Sequence, residues 1–136
     1  MSSYDSLIRQ KQRTKSQMNA AHDANGDLQE QIDRLKDAKK IIAAEKTEYV
    51  SLKMNVNNIA NGFYQWKGDT YDSFSGDAQD LVTKSNEYYL KIDDAIDDIN
   101  SKITELKNQM EENNDIIGWC QSRLRDIGTM LENFFN

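Results

Sequence analysis

The feature that most limits what this chain can become is an apolar repeat of seven residues in its second half. Stepping by sevens from Val82 gives Val82, Tyr89, Ile96, Ile103, Met110, Ile117, Leu124 and Leu131, every one apolar. The positions three further on are Ser85, Ile92, Ile99, Leu106, Asn113, Cys120, Ile127 and Phe134. On an α-helix both sets fall on one stripe. A strict period of seven held for about seven heptads is coiled-coil-like and implies a left-handed supercoil. A strand would need strict alternation, and no stretch of the chain alternates.

The first half repeats more weakly. Leu7, Thr14, Ala21, Leu28, Leu35, Ile42, Tyr49, Val56 and Phe63 stand seven apart, and only the small Thr14 is not apolar. The companion positions include Met18, Ala24, Ile32, Ala38, Leu52 and Ile59, interrupted by Lys11, Asn25, Lys39 and Lys46. Between the halves, residues 55–62 hold four asparagines and Gly62, which are poor helix formers. Gly62 can stop a helix. Beyond Gly68, Asp69 or Thr70 can cap the next one, and Asp72 suits the positive end of its dipole.

These signals predict one helix over about 4–60, a turn over about 62–68 and a second helix over about 70–134, each on the order of 85–95 Å long. The arms on either side of Lys67 are nearly equal, which favours folding back. The predicted fold is all-α: a single helical-hairpin domain over 1–136, elongated and antiparallel, coiled-coil-like, with a Trp-x-Gly turn.

Composition removes most other classes. The chain has 136 residues, no proline and six glycines, against a loop-rich β fold. Its net charge of −6 disfavours a nucleic-acid binder, which needs a basic face. One cysteine and one histidine, Cys120 and His22, leave no intrachain disulfide, zinc set or Cys/His pair. With no nucleophile–base set or phosphate loop, the sequence predicts a non-enzyme without cofactor or metal. Cys120 is expected buried and His22 at the surface. No apolar run is long enough for a membrane span. The N-terminus has neither a basic nor an apolar signal region, so the chain is expected to be cytoplasmic on synthesis, with export lacking a cleaved signal left open.

A fold-back centred near Lys67 sets Asp93, Asp94, Asp97 and Asp98 against residues 36–41, where Lys36, Lys39 and Lys40 stand. Such exposed pairs fix register and contribute only about 0.2–1 kcal/mol each. The acidic cluster therefore reads as a solvated, lysine-facing surface ahead of a cation site. Asn25-Gly26 and Asn113-Asn114 fall close together in that register, as a polar layer or a local weakness. Gly118 and Gly128 either admit a close partner or only weaken the helix.

Beside the second seam runs another row at steps of seven: Phe74, Leu81, Tyr88 and Ala95. It widens the apolar stripe beyond what a lone helix pair buries. Trp119 and Phe135 also lie off the seam. Rows of exposed apolar residues mark interfaces, so Phe74, Leu81, Tyr88 and Trp119 are the expected contacts with a partner. The alternative is that the row completes the core around Trp66.

The middle of the chain reads Gly62-Phe63-Tyr64-Gln65-Trp66-Lys67-Gly68-Asp69-Thr70-Tyr71-Asp72-Ser73-Phe74. Trp66 can close the apolar end of a hairpin, Gly68 can admit the chain to the second helix, and Phe74 can pack back beneath the indole. A Trp-x-Gly triplet at the midpoint of a proline-free two-helix chain resembles the WXG superfamily, the Esx-like proteins of type VII secretion. The length and the start Ser3-Tyr4-Asp5-Ser6-Leu7-Ile8 look more like its YwqH-like branch, small helical partners of LXG toxins in Gram-positive bacteria. The resemblance implies that Trp66 and Gly68 form the turn motif. It also implies that the protein binds the N-terminal helical domain of an LXG-type toxin as a chaperone or targeting partner. The superfamily often carries a Tyr-x-x-x-Asp/Glu export signal. Tyr89 and Asp93 fit that spelling, but inside the second helix, where Tyr89 is a seam residue; a core tyrosine followed by a solvated aspartate is the heavier reading. Two alternatives stand: a self-associating structural or adaptor coiled coil, and an Esx-like homodimer that is itself exported.

Overall fold

The structure is a computed structural model that describes residues 3–62 and 69–135, apart from the side chains of 56–57, 59–62 and 69–75. Helix α1 is Ser3–Gly62 and helix α2 is Asp69–Phe135. Both bounds fall within two residues of the sequence expectation, because the interior of neither helix holds a proline. Asp5 lies in the first turn of α1, where a negative charge offsets the exposed N–H groups. The expected turn, with Trp66 and Gly68, lies outside the described residues.

The chain divides into two units. The terminal unit is Met1–Arg34 with Lys102–Asn136, and the turn-end unit is Leu35–Ser101. In the terminal unit Tyr4 meets Phe134, Gln10 meets Arg123, and Asn25 meets Asn114. In the turn-end unit Lys46 meets Asp93 and Lys53 meets Asn86. Rising numbers on α1 meet falling numbers on α2, so the two helices pair antiparallel in both units. This is the all-α, antiparallel two-helix pairing expected from the heptads.

The terminal unit holds most of the described core. Ala21 and Ile32 on α1 and Ile103, Leu106, Ile117, Cys120 and Ile127 on α2 are buried. Fully burying a side chain such as Ile127 contributes about 1.5–3 kcal/mol. The seam residue Thr14 is buried as well, and its hydroxyl donates to the Gln10 carbonyl at 2.8 Å within its own helix. In the turn-end unit, Ile92 is the single buried apolar side chain among the described residues.

That contrast follows from the α1 seam. Its second row is Lys11, Met18, Asn25, Ile32, Lys39, Lys46 and Lys53, all half-buried or buried. Leu52, expected in that row, is 61% exposed, and the neighbouring Lys53 takes its place. Lysine can fill a seam because its four-carbon stem covers apolar surface while the ammonium reaches water or a carboxylate. Three such lysines leave the turn-end seam thin.

The register also differs from the charge-based expectation. Folding back about Lys67 would set Asn25 near 109 and Lys46 near 88. Asn25 instead meets Asn113 and Asn114, and Lys46 meets Asp93, roughly one helical turn further along. Meshing the apolar rows outweighs exposed lysine–aspartate pairs, each weak in water. Asp93 is thus paired from α1 by Lys46 and not by Lys36, Lys39 or Lys40.

Candidate interaction surface

On α2 of the turn-end unit, Leu81 and Tyr88 stand one heptad apart and are 48% and 49% exposed. They fall just outside the seam row Val82–Tyr89, on a common strip that Ala95 continues half-buried. The Tyr88 ring lies 5.1 Å from that of Tyr49, so its inner edge is held while its outer face is open. Phe74 heads the same row on the sequence, and its side chain is not among those described. On α1 of this unit, Ile41 and Leu52 are also exposed. They are eleven residues apart, three turns, and so share a face.

This unit therefore exposes large apolar side chains while setting lysines in its seam. An isolated helix pair would be expected to do the reverse. The Tyr49 hydroxyl is buried there without a hydrogen-bond partner, a polar group that this pairing leaves incomplete.

Tyr89 and Asp93 are both engaged by one lysine. The Lys46 ammonium is 2.5 Å from an Asp93 carboxylate oxygen and 4.8 Å from the centre of the Tyr89 ring. Hydrogen bonding to Asp93 first, and to Tyr89 second, raises the Lys46 pKa above its ordinary 10.5. Asp94, Asp97 and Asp98 are exposed neighbours on α2. Among the described residues, no group of three or more histidine, cysteine, aspartate or glutamate side chains is placed to hold a metal ion.

In the terminal unit Trp119 is 57% exposed. Ile116 and Met130 are exposed beside the seam, at heptad steps from Leu81 and Tyr88 that the sequence reading missed. The row is broken by Lys102 and Gln109, so a count of consecutive sevens ends at Ala95. Tyr4 packs against Phe134 and Phe135 with ring centres 5.7 and 5.6 Å apart, leaving both phenylalanines largely open. Cys120 is buried and His22 exposed, as expected from their positions. No described helix is long and apolar enough to cross a membrane.

Set against known families, residues 8–129 match the model for the YwqH-like family. No curated protein and no solved structure matches the chain.

Proposed function

The chain belongs to the YwqH-like family, and from that premise we propose that it is a non-catalytic, helical accessory protein of type VII secretion. Its partner is the N-terminal helical domain of an LXG-type toxin, which it accompanies as a chaperone or targeting subunit. The observation that carries the reading is the open apolar row at Leu81 and Tyr88 beside a seam filled with lysines. A pair of helices with that pattern gains most when another helix covers the row. On the sequence Phe74 stands in the same row of sevens, and Trp66 and Gly68 are the expected turn motif. Trp119 is a second expected contact, in the terminal unit.

Tyr89 and Asp93 act in this reading as structural residues held by Lys46, and any export signal comes from the partner.

Co-expression with the toxin's helical domain tests the reading. The wild-type chain should co-purify with it as a defined complex. Leu81→Glu with Tyr88→Glu should abolish co-purification while helicity by circular dichroism is kept. A double variant that binds as well as wild type would remove these residues from the interface, and a wild-type chain that ignores every such domain would end the reading.

A further inference from the structure

Two of the seam lysines of the turn-end unit leave the seam by the same side. Lys46 reaches Asp93 at 2.5 Å and Lys53 reaches Asn86, one heptad away on α2. Tyr49 leans the other way, onto Tyr88. Helix geometry accounts for the split. At about 100° per residue, Lys46 and Lys53 lie about 40–60° to one side of Tyr49, and Glu45 and Leu52 lie as far to the other. Ile41 and Glu48 lie about 80–100° round on that second side. On α2, Lys84 and Lys91 stand next to Tyr88, on the side turned away from the buried Ile92.

The two helices of this unit therefore enclose a groove on the side opposite the seam ammoniums. Leu52 and Ile41 line it from α1, and Leu81 and Tyr88 from α2, all four exposed. Its rims differ in charge. Glu45 and Glu48 stand on the α1 rim and Lys84 and Lys91 on the α2 rim, exposed in every case. None of these four is in an ion pair with another described residue. Asp77 and Asp98 share the α2 row and lie one heptad beyond the lysines at either end, outside the stretch that the glutamates face.

We propose that this groove takes one amphipathic helix of the partner, with an apolar row between a basic flank and an acidic flank, and that the rims set its direction. The basic flank lies against Glu45 and Glu48, the acidic flank against Lys84 and Lys91. Turning the helix end for end, with its apolar row still in the groove, exchanges the flanks and sets like charges together. A helix charged alike on both flanks satisfies one rim and is repelled by the other. Exposed pairs add little affinity, so what the rims contribute is the choice of partner and orientation, as flanking charges do in coiled coils. The proposal rests on the reading of the chain as a helical accessory protein, and adds the chemistry and direction of the helix that it binds.

Synthetic helical peptides of three heptads, with leucine along the apolar row, test this against the full chain by fluorescence anisotropy at low salt. One has a lysine flank and a glutamate flank, one has lysine on both and one has glutamate on both. The mixed peptide should bind about tenfold more tightly than either of the others. Glu45→Lys with Glu48→Lys should make the all-glutamate peptide the tightest. Exchanging the flanks of the mixed peptide should keep its affinity and reverse its direction, read as the distance between spin labels at the exposed position 37 and on the peptide's N-terminus. Circular dichroism checks that the variant is helical; if it is not, Glu45→Gln with Glu48→Gln replaces it and should level the mixed and all-glutamate peptides. No binding of the mixed peptide at about 100 µM, equal affinity for all three peptides, or a direction indifferent to the flanks would each overturn the proposal. So would a dimer of the chain alone that the Glu45→Lys, Glu48→Lys variant abolishes, because the groove would then belong to a second copy. The toxin's helical domain is titrated alongside. If it ignores the wild-type chain while the peptides rank as expected, the toxin reading falls and the groove stands. If it binds wild type and variant alike while the peptides do not rank, the groove falls and the toxin reading stands.

Discussion

Asn25 donates its amide to the side-chain oxygen of Asn114 at 2.9 Å, and Asn113 donates back to Asn25 at 3.0 Å. The three amides form a polar layer across the seam of the terminal unit. Asn25 and Asn113 are half-buried, and an asparagine at a seam position fixes register at a cost in stability. Asn25→Leu should therefore raise the denaturant midpoint, by about 1 kcal/mol from added apolar burial. It should also broaden the distance distribution between spin labels placed at positions 22 and 121. A lower midpoint would mean that the layer stabilises more than a leucine can.

Lys46 gives the turn-end unit an alkaline dependence whose sign is fixed. Its pKa is raised in the folded chain, through Asp93 first and Tyr89 second, so the folded state holds the proton more tightly than the unfolded one. The resulting contribution is complete below the ordinary value of 10.5 and is lost as pH climbs through the higher folded value. The difference in melting temperature between wild type and Lys46→Met should be flat between about pH 7 and 9 and shift toward the variant above about pH 10.5. A difference that stays constant into strong alkali would show that the ammonium contributes nothing through its charge.

Tyr49 offers the opposite kind of test, because its hydroxyl is buried without a partner while its ring packs on Tyr88. Tyr49→Phe keeps the ring contact and removes the group that lost its water. Stability should be unchanged or higher by up to about 1 kcal/mol. A loss of that size in urea denaturation would reveal a hydrogen bond from the hydroxyl.

Gly118 lies inside α2, and a Cβ added there meets nothing within 4 Å. Glycine in a helix interior costs about 0.5–1 kcal/mol relative to alanine. Gly118→Ala should recover that amount, read as a higher midpoint at unchanged slope. The outcome also separates the two sequence readings of this glycine. A stabilised variant that loses self-association or partner binding would mark a site of close approach, and one that keeps both would mark a plain weakness.

The second helix was legible because its signal is redundant. From Val82 to Leu131 the two heptad rows are buried or half-buried, and among them only Phe134, near the chain end, is exposed. The first helix was half legible. The row from Leu7 to Tyr49 faces α2 as expected, but its companion row was hidden because Lys11, Lys39, Lys46 and Lys53 look like surface residues. A hydropathy count scores the ammonium and ignores the stem that does the packing. Leu81, Tyr88 and Trp119 were readable as apolar residues beside a strong seam.

The same register predicts where a deletion hurts and where it does not. Ile127 is fully buried in the terminal unit, and Leu52 is 61% exposed in the turn-end unit. Ile127→Ala removes packed methyl groups and leaves a cavity, so it should cost about 2–5 kcal/mol. Leu52→Ala should change the stability of the free chain by no more than about 0.5 kcal/mol, although the removed side chain is as apolar. Under the proposed function its effect should appear instead in affinity for the proposed helical partner, whose docked helix would bury it. Equal losses from the two variants in urea denaturation of the free chain would mean that Leu52 is already covered, and the face it shares with Ile41 would then be no docking surface.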